Sequence, residues 1–259
     1  MLRKLMKYEF MATGRIFLPL LGALIVLSLV NGLLGNLNLS IPHGITLFLT
    51  IILMVSIMVI VYIITIQRFW QNILSDEGYL MNTLPASCDK LILSKLFVAT
   101  IWGIVSSFVV FGAILILAVA GFDLLGVRGG FDTVMSQLPF ASHELAILVI
   151  QFIVMVILSA FANILMMYAC MSLSMLFNKY RPIAAFGAFV VIMTVLQIAA
   201  AILMLITVNN AQFHEFMMSA STFSGVQVAV WTTTVLVTLM CVVFYIITRF
   251  MLKRKLNLQ

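Results

Sequence analysis

Six long stretches without a charged side chain constrain this chain more than any other feature. They cover residues 16–35, 45–66, 96–120, 145–177, 183–208 and 226–248. A helix needs about 20 mostly apolar residues to cross a bilayer, and each stretch reaches that length. The pattern predicts an all-α integral membrane protein with six transmembrane helices in a single transmembrane domain.

The composition supports the same class of protein. Hydrophobic residues make up 64% of the 259 residues and charged residues only 8%. A water-soluble domain carries about a quarter charged residues. Since no water-soluble fold of this length could bury so much apolar surface, we expect lipid to be the solvent for most of the chain.

The basic residues predict the orientation. Of the fourteen Lys and Arg residues, all except Arg128 fall in segments 1–15, 67–95, 178–182 and 249–259. Six spans place these four segments on one side of the membrane, and an excess of Lys and Arg marks the cytoplasmic side. Both termini are therefore predicted to be cytoplasmic. The net charge of +6 indicates orientation, and we expect no nucleic-acid partner.

The first fifteen residues have the pattern of an amphipathic helix. On a helical wheel, apolar side chains including Phe10 share one arc, while Arg3 and Lys7 lie on the opposite one. Such a helix lies in the membrane interface with its cations toward lipid phosphates or cytosol. A simple basic flank is the alternative interpretation of residues 1–15.

Glu9 interrupts the apolar arc of this helix. A carboxylate on an apolar surface is unfavourable unless it is paired with a cation. We therefore predict that Glu9 faces a basic residue, with Arg15 and Arg68 as the leading candidates.

The cytoplasmic segment 67–95 contains a short predicted helix over residues 75–84. Ser75 is a good N-cap, and the carboxylates of Asp76 and Glu77 suit the positive end of a helix. Pro85 ends the helix. Its apolar side is formed by Tyr79, Leu80, Met81 and Leu84. This exposed apolar side needs a partner, either lipid or another protein.

The segment also carries a motif: an acidic pair followed by Gly, a Leu-Pro-x-Ser element, and a Lys at the start of the third span. The matching residues are Asp76, Glu77, Gly78, Leu84, Pro85, Ser87 and Lys95. Together with the N-terminal helix and the six spans, this motif resembles the membrane subunits of ABC-2 type transporters over the whole chain. The resemblance implies that residues 75–84 are a coupling helix, which docks on a separate ATP-binding subunit.

The same resemblance implies the remaining partners. Two copies of the ATP-binding subunit and a second permease, either the same chain or a similar one, would complete an exporter in the plasma membrane of a bacterium. ATP and Mg would bind to the partner subunit. This chain has no GxxxxGK[ST] loop, so we expect no cofactor and no catalytic activity in it.

The remaining polar residues give few further candidates. His43, His143 and His214 are predicted to lie singly in outside loops, so we expect no metal site. Asn163 and Gln197 lie within spans and are predicted to form interhelical hydrogen bonds or to line a substrate path.

The substrate is predicted only as a class. Twenty Phe and eighteen Met residues supply adaptable apolar surface, which favours an amphipathic peptide or another lipophilic compound. For the outside segment 209–225 the resemblance implies a re-entrant helix, and from its residues alone an interfacial loop fits equally well.

Two other functions fit the topology. One is a scaffold or assembly protein that transports nothing. The other is an ion-coupled carrier, which would need a titratable residue within the membrane, and the six spans contain no charged residue.

Overall fold

The computed structural model describes most of the chain as long helices. The described residues are 2–36, 40–71, 88–119, 142–177, 180–209 and 222–256. Within them, all regular secondary structure is helical. The predicted coupling helix 75–84 and most of the outside segment 209–225 lie outside the described residues.

Six helices account for the described chain. They are α1 (Leu2–Asn36), α2 (Ser40–Phe69), α3 (Cys88–Val119), α4 (Ser142–Ser174), α5 (Arg181–Asn209) and α6 (Thr222–Leu256). All six are long and apolar enough to span a membrane. This confirms the prediction of an all-helical, multi-pass membrane protein, and every helix extends beyond the apolar stretch that predicted it on at least one side.

Helix α1 includes the predicted interfacial segment. Residues 2–15 are helical, as the amphipathic pattern predicts, but they continue into the first span without a break. The side chains of Arg3 and Lys7 are exposed, whereas Leu5 and Met6 are half-buried. Burial therefore follows the predicted arcs at these four residues, but Phe10, on the apolar arc, is 41% exposed. The position of this segment in a membrane interface stays a prediction.

The end of α4 differs from the prediction. The apolar stretch that predicted this helix continues through residue 177, but the helix ends at Ser174. A turn follows, in which the amide of Met175 donates to Ser172 O at 3.3 Å and that of Phe177 to Ser174 O at 3.1 Å. Pro182 lies in the first turn of α5, where a missing N–H breaks no helical hydrogen bond.

The chain divides into two compact units. One comprises Met1–Arg68 and Lys90–Leu138, and the other comprises Phe69–Asp89 and Pro139–Gln259. We call them the first and the second unit. The chain thus leaves the first unit directly after Arg68 and re-enters it at Lys90.

The first unit has an apolar core contributed by α1, α2 and α3. Its buried members are Phe17, Leu21, Leu24, Ile57, Ile64, Val98, Trp102, Val110 and Ala113. Trp102 packs between two aromatic rings of α1, with centroids 4.9 Å from Phe10 and 5.0 Å from Phe17. Gly14 permits this packing, because a Cβ there would lie 3.2 Å from Trp102 Cζ2.

A polar contact also joins α1 to α2 in the first unit. The fully buried Asn31 donates from Nδ2 to Thr50 Oγ1 at 2.5 Å. Its Oδ1 accepts a hydrogen bond from Thr46 Oγ1 at 2.6 Å. Both polar groups of the amide are therefore satisfied between the two helices, which removes the penalty of placing an amide in an apolar interior.

In the second unit, α4 packs mainly against α6 and also against α5. The covered part of α4 is its C-terminal half, where Leu165, Tyr168 and Ala169 are buried. Helix α5 differs from the others, because none of its most apolar window is buried inside the chain. Lipid or another protein chain must cover this helix in a membrane.

Candidate functional site

The predicted coupling residues cannot be placed directly. Asp76, Glu77, Gly78, Tyr79, Leu80, Leu84 and Pro85 all lie between the end of the described α2 region and the start of α3. The structure does describe the two ends of this segment. We call residues 68–71, at the end of α2, and residues 88–95, at the start of α3, its roots. Each root carries charged or aromatic side chains with defined partners.

In the first unit, both roots bind the same carboxylate. Arg68 Nη1 lies 3.1 Å from Glu9 Oε2, and Lys95 Nζ lies 2.5 Å from Glu9 Oε1. Arg68 is near the end of α2 and Lys95 is in the second turn of α3, while Glu9 is on α1. We call these three residues the Glu9 cluster. One side chain thus links three helices at the base of the predicted coupling segment.

The Glu9 cluster is largely withdrawn from solvent. The exposed fraction of the side chain is 5% for Lys95, 12% for Glu9 and 27% for Arg68. Charges this buried are tolerated only when they are paired and hydrogen-bonded. Glu9 therefore holds Lys95 in a position where this cation could not lie alone without a large penalty, and it also pairs with the more exposed Arg68.

The local sequence explains why Glu9 points toward these cations. Phe10 stacks on Trp102 of α3, and Thr13 Oγ1 donates to the backbone carbonyl of Glu9 at 2.8 Å. The Phe10–Trp102 stack fixes the rotation of this turn of α1 against α3, while the Thr13 hydrogen bond lies within α1. The carboxylate then lies on the side of α1 that faces the start of α3.

The predicted ion pair of Glu9 is confirmed for one of its two proposed partners. Arg68 is one of the two cations proposed from the sequence, while Arg15 is exposed. Lys95 was missed as a partner, although it belongs to the motif. The signal was present, since Lys95 is a cation within an otherwise apolar stretch of α3, and such a residue needs an anion.

In the second unit, the same roots make a separate set of contacts. Asp89, in the first turn of α3, accepts hydrogen bonds on Oδ1 from Tyr245 OH at 3.0 Å and from Arg249 Nε at 2.9 Å. On the other root, the Phe69 ring stacks on Tyr168 with centroids 4.0 Å apart. The sequence patterns did not predict either contact.

The aromatic stack and the ion pair of the second unit differ in burial. Phe69 and Tyr168 are almost completely buried, but the side chains of Asp89 and Arg249 are 34% and 54% exposed. An exposed ion pair contributes about 0–1 kcal/mol. The Glu9 cluster is thus the stronger of the two polar anchors, and the aromatic stack is the stronger contact in the second unit.

The two amides selected from the sequence lie elsewhere. Asn163 is exposed and donates from Nδ2 to Ser159 O of its own helix at 3.3 Å. Gln197 is exposed on α5. Asn31 is an amide that does link two helices, and the sequence patterns did not single it out although it lies in the first apolar stretch.

The structure corrects the prediction for one histidine. His43 was expected in an outside loop, but it lies in α2 and is 6% exposed. The helix begins earlier than the apolar stretch that predicted it, so His43 faces inward from its first turns. His143 is exposed at the start of α4. Among the described residues, no group of three His, Cys, Asp or Glu side chains could hold a metal ion.

A scan of protein-family models gave no match, and searches of curated proteins and of solved structures found no significant similarity. The described site joins helix ends through ion pairs.

Proposed function

We propose that this chain is the permease subunit of an ATP-driven exporter of the ABC-2 type. The observation that carries the proposal is the arrangement around segment 72–87. A segment with a coupling-helix motif connects α2 to α3, and cations at both of its roots bind the single carboxylate of Glu9.

The Glu9 cluster suits a coupling element mechanically. An ATP-binding subunit that pushes on the predicted helix 75–84 would displace the ends of α2 and α3, because the chain is continuous through them. Since Glu9 binds Arg68 and Lys95, α1 would move with these two helices. Through Asp89, Tyr245 and Arg249, part of the displacement would also reach α6.

The energy source in this proposal is ATP hydrolysis in the partner subunit, which also binds Mg. The apolar stretches contain no charged residue, whereas carriers driven by an ion gradient place ionisable groups within the membrane. An amphipathic peptide or a lipophilic compound suits the Phe- and Met-rich helices best, and we assign no more specific substrate.

A second permease copy completes the proposal, because six helices are too few to enclose a substrate path. Helix α5 is suited to meet that copy, since none of its apolar window is buried within the chain. Gln197 adds a hydrogen-bonding group to this surface. Two copies with the same orientation carry Gln197 at the same depth, where the two amides can donate to and accept from each other.

Affinity purification from the native membrane tests the proposal. The tagged chain is expected to copurify with a protein that contains a P-loop, and Leu80→Asp combined with Leu84→Asp is expected to abolish this association. These substitutions place charges on the apolar side of the predicted helix. The matched control is Asn82→Asp, which adds a carboxylate on the opposite side and should leave the partner bound.

Two results would overturn the proposal. If no P-loop protein copurifies with the unmodified chain, a scaffold or assembly protein becomes the better interpretation. If the partner stays bound after both Leu residues are replaced by Asp, the docking surface lies outside helix 75–84.

A further inference from the structure

The Glu9 cluster has a charge imbalance. Two cations, Arg68 and Lys95, share one carboxylate, so the cluster carries a net charge of about +1 at neutral pH. The Lys95 side chain is only 5% exposed. Among the described residues, Glu9 is the carboxylate that forms ion pairs with these two cations. Burying charge without a counterion is unfavourable, so the cluster as described favours a further anion.

The two cations also keep hydrogen-bond donors in reserve. An ammonium group has three donors and a guanidinium group has five. Within the described part of the chain, Glu9 is the acceptor for both Lys95 Nζ and Arg68 Nη1. The remaining N–H groups of Lys95 are enclosed with its side chain, which is 5% exposed, whereas Arg68 presents further N–H groups through a side chain that is 27% exposed.

The spacing of the cations suits a tetrahedral oxyanion. Because Arg68 Nη1 and Lys95 Nζ bond to the two oxygens of one carboxylate, they lie within about 8 Å of each other, given ordinary hydrogen-bond lengths. A phosphoryl group can accept hydrogen bonds from two such donors through different oxygens. Arg adds the planar donor geometry that phosphate recognition uses.

The cluster also lies where phosphoryl groups are found. Arg68 is next to the end of the candidate span Pro42–Phe69, so its guanidinium lies near the membrane surface when α2 crosses the bilayer. The basic residues of the chain predict that this surface is cytoplasmic. Basic pockets between helices at the cytoplasmic surface bind the headgroups of anionic lipids.

We propose that Arg68 and Lys95, held in place by Glu9, bind a phosphoryl group supplied by the headgroup of an anionic lipid. The lipid would complete the charge of the cluster and would strengthen the link between α1, α2 and α3. This site requires only that the chain spans a membrane, and it is independent of whether the chain is coupled to an ATPase.

Native mass spectrometry of the full chain tests this site. The chain is reconstituted with an equal mixture of phosphatidylglycerol and phosphatidylcholine and then stripped of bulk lipid. The unmodified chain should retain phosphatidylglycerol preferentially, and Arg68→Gln should reduce that preference about fivefold. Arg68→Lys should preserve most of it. The matched control is Arg249→Gln, which removes an exposed cation paired with Asp89 and should leave retention unchanged.

A competition arm identifies the source of the phosphoryl group. Failure of millimolar inorganic phosphate to displace the retained lipid supports a headgroup site, and displacement supports a phosphate site that free anions share. Equal retention of the two lipids by the unmodified chain would overturn the proposal. So would a preference that Arg68→Gln leaves intact, since the anion would then bind at other residues.

Discussion

Replacing Glu9 with Gln should destabilise the first unit severely. The substitution keeps the size of the side chain but removes the charge that Arg68 and Lys95 share. In micelles that contain no anionic lipid, Lys95 is then left 5% exposed without an anionic partner. Removing one member of a buried ion pair costs about 3–5 kcal/mol. Because Arg68 is 27% exposed and can be hydrated, we expect the lower end, about 3 kcal/mol.

A double substitution separates charge imbalance from loss of packing. In Glu9→Leu combined with Lys95→Met, the buried anion and the most buried cation disappear together. Replacing a buried pair with apolar side chains of similar size is often close to neutral. The free energy of unfolding should therefore return to within about 1 kcal/mol of the unmodified chain.

Asp89→Asn is the control for a generic effect of losing a carboxylate. Asp89 also pairs with an arginine, but the two side chains are 34% and 54% exposed. The expected loss is about 0–1 kcal/mol. Reversible unfolding in mixed micelles, followed by tryptophan fluorescence, measures all these variants. Equal losses for Glu9→Gln and Asp89→Asn, or no recovery in the double variant, would refute this account of the cluster.

Three further perturbations test other contacts, the first two by unfolding. Gly14→Ala should destabilise the chain by about 1–3 kcal/mol, because its Cβ would lie 3.2 Å from the enclosed Trp102 ring. Gly22→Ala, whose Cβ would have nothing within 4 Å, should be neutral or stabilising. A larger loss of stability for Gly22→Ala than for Gly14→Ala would contradict this packing. Asn31→Leu should cost about 1 kcal/mol through its lost interhelical bonds, and an unchanged stability would show that these bonds contribute nothing net. Gln197→Leu should weaken self-association in vesicles about tenfold, as measured by energy transfer between labelled chains; an unchanged transfer efficiency would place the contact between copies away from this amide.

The helices were predictable because the signal for a membrane span is long and redundant. A run of about 20 apolar residues without a charge is typical of a membrane span and not of a segment in water. The six predicted stretches correspond to α1–α6. The ends were less predictable, since apolarity does not determine where a helix stops. Residues 175–177 are as apolar as the residues before them, yet α4 ends at Ser174.

The site was predictable only where a residue contradicts its surroundings. Glu9 was identified because an acid on an apolar arc needs a cation, and Arg68 was among the partners proposed. The second partner, Lys95, depends on how α3 rotates against α1, which is fixed by the packing of Phe10 and Trp102. Contacts between distant polar residues that suit their own surroundings, such as Asp89 with Tyr245, leave no local signal in the sequence.

The most direct test of the central claim is site-specific photocrosslinking at the predicted coupling helix. A photoreactive amino acid at Leu80 or at Leu84, in chains expressed in native cells, should form adducts with a P-loop ATPase identified by mass spectrometry. The same probe at Asn82, on the opposite side of the helix, should form far fewer. Adducts at all three positions with lipid alone, or with proteins that contain no P-loop, would contradict the proposed role of this chain as an ATP-coupled permease.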